Sequence, residues 1–285
     1  MEGSMATIRL MSNNIWNCDS NKPAWEAIGE DCSAKARMPG IARVYAETKP
    51  DVIGLQEASH TMVDLLAHEL QKLGLRYTVL WARFTSILYR SELFEVADAE
   101  YLCYPEHFEG YEGCFNDVRS KSCNLAVLRL KENGKRFVFA NTHLWWKNRN
   151  PAVKTYQAGS GECRAYQVRL ASEMIDRYRK KYDCPAVLLG DMNDTYDSPM
   201  MESAHACGFA HAHDVAVEYA SEEKGYHYCF PDGHRSYVPG PFKSAIDHIL
   251  VKGFAADAVR RFDRYIPDYY EPLSDHYPVY IDLLL

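Results

Sequence analysis

The sequence lacks a long apolar run and has no excess of basic residues. No segment approaches the roughly 18 consecutive apolar residues of a membrane-spanning helix, so we expect a soluble, cytoplasmic chain. Residues 1–5 have the character of an added leader, which leaves export open if they replaced a natural signal. Lysine and arginine number 32 against 39 aspartates and glutamates, a net charge of −7. That balance disfavours a broad basic face for nucleic acid, although acids gathered around a metal ion produce the same balance.

Paired cysteines and glycine-rich phosphate loops are absent too. The nine cysteines are odd in number and form no CxxC pair, so we expect no disulfide framework and favour a reducing compartment. Neither standard glycine-rich spacing occurs, which excludes the P-loop and dinucleotide-binding classes. Without a linker, repeat or low-complexity tract, residues 6–285 are expected to form a single domain, and we expect a monomer.

Strand-like and helix-like segments alternate along the chain. The apolar patterns predict strands at Thr7–Ser12, Asp51–Gln56, Thr85–Tyr89, Asn124–Leu130, Arg136–Thr142, Ala186–Leu189, Ala245–Val251 and Pro278–Leu283. Helical spacing predicts Arg37–Thr48, Thr61–Leu73, Arg164–Lys181 and a helix that begins at Ser198-Pro199 and is closed by Gly208. The KENGK segment predicts a hairpin turn. Mixed strand order with intervening helices indicates a layered α/β domain.

Polar residues follow the apolar strands at several points, where loops usually build active sites. They are Asn14, Glu57, His143, Asp191, Asn193, Asp247, Asp275 and His276. Taken singly, Asp191 could cap a turn, Glu57 could cap a helix and His143 could be a structural histidine. It is improbable that all of these separate structural roles occur in one chain in this order. We therefore favour the interpretation that the residues form one site.

The motif series resembles one known superfamily. NNIW, DVIGLQE, NTHL, GDMND, SAIDHILV and LSDHYPV, in this order, are similar to the endonuclease/exonuclease/phosphatase superfamily of metal-dependent phosphohydrolases related to pancreatic deoxyribonuclease. The series is specific as a set and covers residues 14 to 276. It implies a four-layer sandwich of two packed mixed β-sheets flanked by helices. It also implies hydrolysis of phosphoester bonds.

The resemblance assigns metal ligands first. Glu57 would be the principal ligand, with Asn14 and Asp275 nearby, directly or through water. Carboxylate and amide oxygens suit Mg²⁺ or Mn²⁺. We therefore expect a divalent cation as cofactor.

The remaining motif residues are implied to carry the chemistry. Asp191 would orient or deprotonate the attacking water, and Asn193 would hold the phosphate or that water. His276, positioned by Asp247, would stabilise the phosphoryl group or donate a proton, and His143 would contact a phosphoryl oxygen. In pancreatic-type nucleases a glutamate pairs with the NTH histidine, but residues 82–86 here contain none. The partner of His143 is thus left open.

Candidate substrate-binding residues lie close to these motifs. Trp145 and Trp146 follow NTHL and predict a stacking platform, or in one case a tryptophan packed under a loop. Lys121, Arg119 and Arg164 are candidate phosphate contacts, with a solvated surface charge as the alternative.

Histidines and cysteines also cluster outside the motifs. The spacing of Cys207, His211 and His213 matches no zinc pattern, so we expect a helix end with surface histidines there. We likewise expect no zinc site at His227, Cys229 and His234. The favoured function is hydrolysis of a small or extended phosphoester. A nuclease of DNA or RNA is the alternative, and a non-catalytic phosphate-binding module is a third interpretation.

Overall fold

The first and last strands of the chain lie at the centre of a seven-stranded sheet. The computed structural model describes residues 6–219 and 245–285. In hydrogen-bonding order, this sheet contains β10 (Glu218–Tyr219), β12 (Val259–Arg264), β13 (Val279–Leu284), β1 (Thr7–Asn14), β2 (Val52–Gln56), β4 (Ile87–Tyr89) and β3 (Thr78–Leu80). β1 is parallel to β2 and antiparallel to β13. The carboxyl ends of β1 and β2 therefore lie side by side.

The second sheet has six strands. Its order is β5 (Phe94–Cys103), β6 (Ser122–Leu130), β7 (Arg136–His143), β8 (Ala186–Asp191), β11 (Asp247–Lys252) and β9 (Ala210–His211). β6 and β7 form an antiparallel hairpin whose turn contains Gly134 at φ 75°, as the KENGK segment predicts. β7 is parallel to β8, so both strands deliver their last residues to one edge.

Helices cover the outer faces of both sheets. The helices of the described residues are α1 (Pro23–Glu26), α2 (Ala34–Thr48), α3 (His60–Lys72), α4 (Ser160–Tyr182), α5 (Pro199–Ala206) and α6 (Ala212–Val215), with a 3₁₀ turn at Asp117–Arg119. One buried cluster packs α2 and α3 on the seven-stranded sheet, and another packs α4 and α5 on the six-stranded sheet. A third cluster lies between the sheets and includes Leu10, Phe139 and Leu189. The predicted four-layer sandwich is confirmed.

The two sheets approach closely near the ends of β2 and β7. A Cβ added at Gly54 would lie 2.5 Å from a Leu189 methyl carbon and 2.8 Å from the Asn141 amide, so only glycine fits there. Asn141 accepts from Gln56 Nε2 at 2.6 Å and donates to the Leu55 carbonyl at 2.8 Å. These buried bonds fix one sheet against the other beside the candidate site.

The observed elements differ from the predicted ones mainly at their ends. β1 continues past Ser12 to Asn14, and α2 begins at Ala34 because the Ser33 hydroxyl caps it. α4 begins at Ser160 rather than Arg164. β5 and β12 were not predicted, since their alternation of exposed acidic or basic residues is weak evidence for a strand. The short elements β3, β9, β10, α1 and α6 were not predicted either, because two to four residues carry no periodic pattern. No helix among the described residues is long and apolar enough to span a membrane.

Candidate active site

A row of buried polar residues crosses the six-stranded sheet. In its register His143 of β7 lies beside Asp191 of β8, and Asp191 lies opposite Asp247 of β11. Side chains at matching positions of neighbouring strands point to the same face. All of these residues are almost fully buried, with Asp191 only 1% exposed. The strand register therefore holds an imidazole and paired carboxylates together.

The seven-stranded sheet contributes Asn14, at the end of β1, and Glu57, directly after β2. The Asn14 amide donates from Nδ2 to Glu57 Oε1 at 3.3 Å and to Asp191 Oδ2 at 3.0 Å, which links the two sheets. Its Oδ1 accepts the Trp16 N–H at 3.0 Å. The Asn17 N–H donates to Glu57 Oε2 at 2.9 Å. In this arrangement Asn14 presents a donor, not its oxygen, to the carboxylates.

His276 reaches the row from the loop that precedes β13. Its Nδ1 lies 2.8 Å from Asp247 Oδ2, and its Nε2 lies 3.7 Å from Asp191 Oδ2. Ser274 fixes this loop, because its hydroxyl donates to the Asn14 carbonyl at 2.7 Å and accepts the His276 N–H at 3.2 Å. Backbone bonds thus position the imidazole between the carboxylates.

Burial and charge compete over protonation in this cluster. Burial raises the pKa of Asp191 to about 7, with His276 opposing and Asp247 adding to that rise. Burial also raises the pKa of Asp275 to about 6. Burial disfavours the imidazolium of His276, but Asp247 and Asp191 outweigh it and raise the His276 pKa well above its usual value. The site therefore combines an imidazolium with a carboxyl that titrates near neutral pH.

Lys121 is the partner of His143. Its Nζ lies 2.7 Å from His143 Nε2, and both side chains are buried. An ammonium only donates, so a neutral His143 accepts from it. Burial lowers the pKa of Lys121, although Glu57 and Asp191 oppose that shift. Burial, followed by the nearby Lys121 charge, lowers the His143 pKa. A lysine thus contacts this histidine where the resemblance implied a glutamate.

Tight backbone packing orients Asp191 and Asn193. A Cβ added at Gly190 would lie 1.8 Å from the Thr142 carbonyl oxygen, so only glycine lets β8 approach β7 here. The Asn193 N–H donates to Asp191 Oδ1 at 3.0 Å, and Asn193 Nδ2 donates to the Leu144 carbonyl at 3.1 Å. The amide side chain of Asn193 is therefore held by the end of the NTHL segment.

Left-handed backbone is concentrated around this cluster. Lys49 and Asp183, which have positive φ, simply end helices. The other described non-glycine residues with positive φ surround the site: Trp16, Glu57, Phe84, Val118, Arg119 and Asn193. Such conformations cost about 1 kcal/mol or more each and are retained where surrounding structure enforces them. Strained backbone of this kind is often found at functional sites, and here it is grouped at one end of the sandwich.

The residues present fit a divalent cation. Ligand atoms of Glu57, His143 and Asp191 lie within 4.8 Å of one another, as do those of Asp191, Asp247 and His276. Asp275 Oδ1 is buried without a hydrogen-bond partner among the described residues. A buried carboxylate oxygen of this kind is costly unless a cation or water meets it. Hard oxygen donors of this type suit Mg²⁺ or Mn²⁺.

The tandem tryptophans occupy different environments. Trp145 is 1% exposed, and its Nε1 donates to Gln157 Oε1 at 3.2 Å. Trp146 is 41% exposed, and its Nε1 donates to Asp117 Oδ2 at 3.1 Å. Trp145 is thus packed under a loop, whereas Trp146 is exposed to solvent.

Arg164 is buried and engaged with protein groups. Its Nε donates to Asp194 Oδ2 at 2.9 Å and its Nη1 donates to the Lys147 carbonyl at 2.7 Å. Arg149 also donates to Asp194, at 3.3 Å. Arg119, by contrast, is exposed on the 3₁₀ turn. Arg164 therefore fixes the loop after NTHL in addition to lining a cavity.

Trp146 lines two cavities at this end of the sandwich. The first, of about 290 Å³, we name the histidine cavity; it is lined by Asn17, Glu57, Phe84, Val118, Lys121, His143 and Trp146, with Ser120. The second, of about 460 Å³, we name the arginine cavity; its lining includes Trp146, Arg149, Arg164, Asn193 and Thr195. A larger cavity of about 540 Å³ lies at the opposite end of the sheets, by Pro185 and Leu285, and contains none of the candidate residues.

Sequence reasoning missed the roles of Asn17 and Asp194. Asn17 acts through its backbone N–H, which no side-chain pattern reveals. Asp194 accepts from both arginines of the arginine cavity, and the second acid of GDMND was the available signal. Among the residues interpreted as surface histidines, His211 is instead 1% exposed. His227, Cys229 and His234 lie outside the described residues.

Comparison with known proteins decides the family. The model of the Endonuclease/Exonuclease/phosphatase family matches residues 15–276. The chain belongs to this family. The resemblance inferred from the motif series is therefore confirmed. Members of the Endonuclease/Exonuclease/phosphatase family are phosphoester hydrolases. A search of curated proteins finds no match.

Several solved structures share the fold. An endonuclease/exonuclease/phosphatase family protein from Bacteroides thetaiotaomicron has a TM-score of 0.73 at 19% identity, with 99% of each chain covered. A mannosyl-6-phosphatase from the same species has a TM-score of 0.70 at 20% identity, covering 98% of this chain and 99% of that one. Truncated TDP2 from Caenorhabditis elegans has a TM-score of 0.65 at 17% identity, covering 98% of each.

Proposed function

We propose that this protein hydrolyses a phosphoester with Mg²⁺ or Mn²⁺ as cofactor, and that the substrate is a small or extended organic phosphate. The observation that carries the proposal is the convergence of Glu57, His143, Asp191, Asp247 and His276 in one cluster, in which Glu57 is half-buried and the others are buried. Phosphoryl transfer requires charge on the phosphoryl oxygens to be offset and a nucleophile to be aligned. This cluster offers groups for both tasks.

The metal would be held by oxygen ligands at the edge of the cluster. Glu57 and Asp275 would bind it, and Asn14, through its bond to Glu57, would position the principal carboxylate or contact the metal through water. When bound, the cation offsets negative charge on the phosphoryl oxygens.

Asp191 would orient the attacking water and accept its proton. Its oxygens are fixed by the Asn193 N–H and the Asn14 amide, each at 3.0 Å. Because burial raises its pKa to about 7, this carboxyl can accept a proton near neutral pH. The Asn193 side chain, held near the cluster, would contact the phosphate or the water.

The histidines would supply positive charge and a proton. Asp247 holds Nδ1 of His276, which leaves Nε2–H directed into the cluster toward Asp191. That N–H would stabilise the phosphoryl group or protonate the leaving oxygen. His143 would contact a phosphoryl oxygen, and Lys121 beside it would add a buried cation.

The substrate would extend from the cluster along Trp146. The histidine cavity combines polar groups with Phe84, Val118 and Trp146, whereas the arginine cavity is mostly polar. Together they accommodate a phosphoester with a flat or apolar part and a hydroxylated or charged part. The net charge of −7 and the sugar-phosphate activity in the name of one structural neighbour favour a small substrate over duplex DNA.

Metal removal tests the proposal directly. Hydrolysis of generic phosphomonoesters and phosphodiesters should cease in EDTA and return with Mg²⁺ or Mn²⁺, because the oxygen ligands require the cation. Glu57→Gln should raise the Mn²⁺ concentration needed for half-maximal activity. Glu173→Gln, exposed on α4, is the matched control and should leave that concentration unchanged. Full activity in chelator contradicts the metal role, and faster plasmid nicking than small-substrate hydrolysis favours a nuclease.

Substitution of the tandem tryptophans tests the substrate path. Trp146→Ala should raise KM several-fold for a substrate with an aromatic leaving group, with little change in stability, because its exposed ring lines both cavities. Trp145→Ala should instead lower the free energy of unfolding by about 3–5 kcal/mol, because Trp145 is buried. Steady-state kinetics and urea unfolding measure the two effects. Equal KM values for wild type and Trp146→Ala would exclude the proposed path.

A further inference from the structure

Cys18 and Cys32 lie in contact in the segment that joins β1 to α2. Their Sγ atoms are 3.7 Å apart although the residues are 14 positions apart in the chain. Cys18 is 6% exposed and Cys32 is 0% exposed. Both pack with buried Trp25 in a small apolar cluster. A disulfide has its sulfurs about 2.05 Å apart, so a closure of roughly 1.7 Å separates this pair from a bond.

Formation of a disulfide would leave no hydrogen-bond acceptor of the two thiols buried without a donor. The Cys18 thiol donates to the Ser20 carbonyl at 3.2 Å, and that residue is exposed to water. The Cys32 thiol donates to Asn21 Oδ1 at 3.3 Å, but the same oxygen also accepts the Cys32 N–H at 2.9 Å and the Lys22 N–H at 3.0 Å. Only weak thiol hydrogen bonds are lost on oxidation.

Arg37 holds the backbone of both cysteines independently of their sulfurs. Its Nε donates to the Cys32 carbonyl at 2.8 Å, and its Nη2 donates to the Cys18 carbonyl at 2.9 Å. Its Nη1 donates to the carbonyls of Ile15 and Leu273 at 2.7 and 2.6 Å. The guanidinium is 1% exposed and bonded to the chain on several sides. The cysteines are therefore brought together before any bond between them forms.

The two residues directly before Cys18 contact the candidate active site. The Trp16 N–H donates to Asn14 Oδ1 at 3.0 Å and the Asn17 N–H donates to Glu57 Oε2 at 2.9 Å. Cys18 is the next residue in the chain. A covalent bond at Cys18 would fix the position of these donors.

We infer that Cys18 and Cys32 form an intramolecular disulfide in the presence of a small-molecule disulfide such as oxidised glutathione, and that the bond stabilises the segment between them. One protein thiolate attacks the small-molecule disulfide and expels one small thiolate. The second protein thiolate attacks the resulting mixed disulfide and expels the other. Two protein thiols are oxidised, two small thiols are formed, and the thiol protons pass to them.

Burial makes this exchange slow in the folded chain. It raises the pKa of Cys18 to about 11, with the neighbouring Cys32 adding to the rise, so little thiolate is present near neutral pH. The bond is expected to form faster while the chain folds than after it has folded. The odd cysteine count gives no indication of this pair, because only the fold brings the two residues together.

The test uses the full chain refolded in glutathione mixtures of increasing oxidised fraction. Free thiols are then alkylated, the protein is digested without reductant, and the peptides are identified by mass spectrometry. A peptide pair joined through Cys18 and Cys32, lighter by two hydrogens than the separate peptides, is expected in oxidised samples. The melting temperature should rise by roughly 5 °C or more, because the bond closes a loop in the unfolded chain.

Cysteine variants define which thiols are responsible. Cys18→Ser and Cys32→Ser should each abolish the linked peptide and the rise in melting temperature. Cys114→Ser removes an exposed thiol and should retain both. If the serine variants fold poorly, oxidised and reduced wild type still provide the comparison. A folded protein without the linked pair, Cys18 joined to another cysteine, or a linked protein that melts no higher would each overturn the inference.

Discussion

Two buried histidines at the start of β11 differ in charge. His248 belongs to this strand, and His276 contacts its first residue, Asp247. His276 Nδ1 lies 2.8 Å from the carboxylate of Asp247, whereas His248 Nε2 lies 2.8 Å from the backbone carbonyl oxygen of Asp194. Burial lowers the pKa of His248 despite the raising effects of the Asp194 carbonyl and Asp247. For His276 the carboxylates outweigh burial, and the pKa rises. The full negative charge of a carboxylate in contact with His276 is enough to overcome the effect of burial on its pKa. The carbonyl dipole beside His248 is not.

The tautomers around His248 follow from its partners. A carbonyl accepts only, so His248 Nε2 carries the proton and Nδ1 is an acceptor. His211 Nε2, 3.0 Å away, then donates to that Nδ1, and His211 Nδ1 accepts the His213 N–H at 3.2 Å. Both rings are satisfied while neutral. This second cluster thus stabilises the fold, whereas the first retains a charge that chemistry can use.

Matched substitutions at these histidines should separate the two roles most strongly. His276→Gln should reduce kcat by roughly 10²- to 10⁴-fold, the range for loss of a general acid, while the protein remains folded. His248→Gln should leave kcat within a few-fold and lower the free energy of unfolding by about 1–3 kcal/mol, because buried hydrogen bonds are broken. Kinetics on a generic phosphoester and urea unfolding measure both.

Similar kcat losses in the two variants would contradict this separation. His211→Gln provides a second member of the structural cluster if His248→Gln folds poorly, and the same pattern is expected from it.

A smaller effect is expected from Asp247→Asn. Asp247 raises the His276 pKa, so the imidazolium persists as pH rises and activity falls only when pH passes that pKa. Without the carboxylate the pKa falls, and the alkaline limb of the kcat profile should move to lower pH. We expect a loss in kcat of roughly 10- to 100-fold with KM little changed. The pH–rate profile is the measurement.

Asp176→Asn, at a surface ion pair with Lys252, is the control and should leave the profile in place. A variant of Asp247 with an unshifted alkaline limb would show that the carboxylate does not set the charge of His276.

The layered fold and most of the motif residues could be predicted from the sequence, because the motif residues lie at the ends of apolar strands. Asp191 and Asp247 each adjoin an apolar strand, and register then brings the strands together. Lys121 was predicted only as a phosphate contact, since its approach to His143 depends on the pairing of β6 with β7. The sequence could not predict which tryptophan of the pair is packed under a loop, or that His211 is buried, because the neighbouring residues of the same type, Trp146 and His213, have other environments.

The smallest predicted effect tests the neutral histidines through the pH dependence of stability. The pKa values of His248 and His211 are lowered in the folded chain, whereas the unfolded chain binds protons near pH 6.5. Below that pH the unfolded state holds more protons, so the free energy of unfolding should fall as pH drops from 7 to 5. His248→Gln should reduce that slope by up to about 1.4 kcal/mol per pH unit. Exposed His68→Gln is the control and should leave the slope of unfolding free energy against pH unchanged. If His248→Gln also keeps the wild-type slope, burial does not keep His248 neutral.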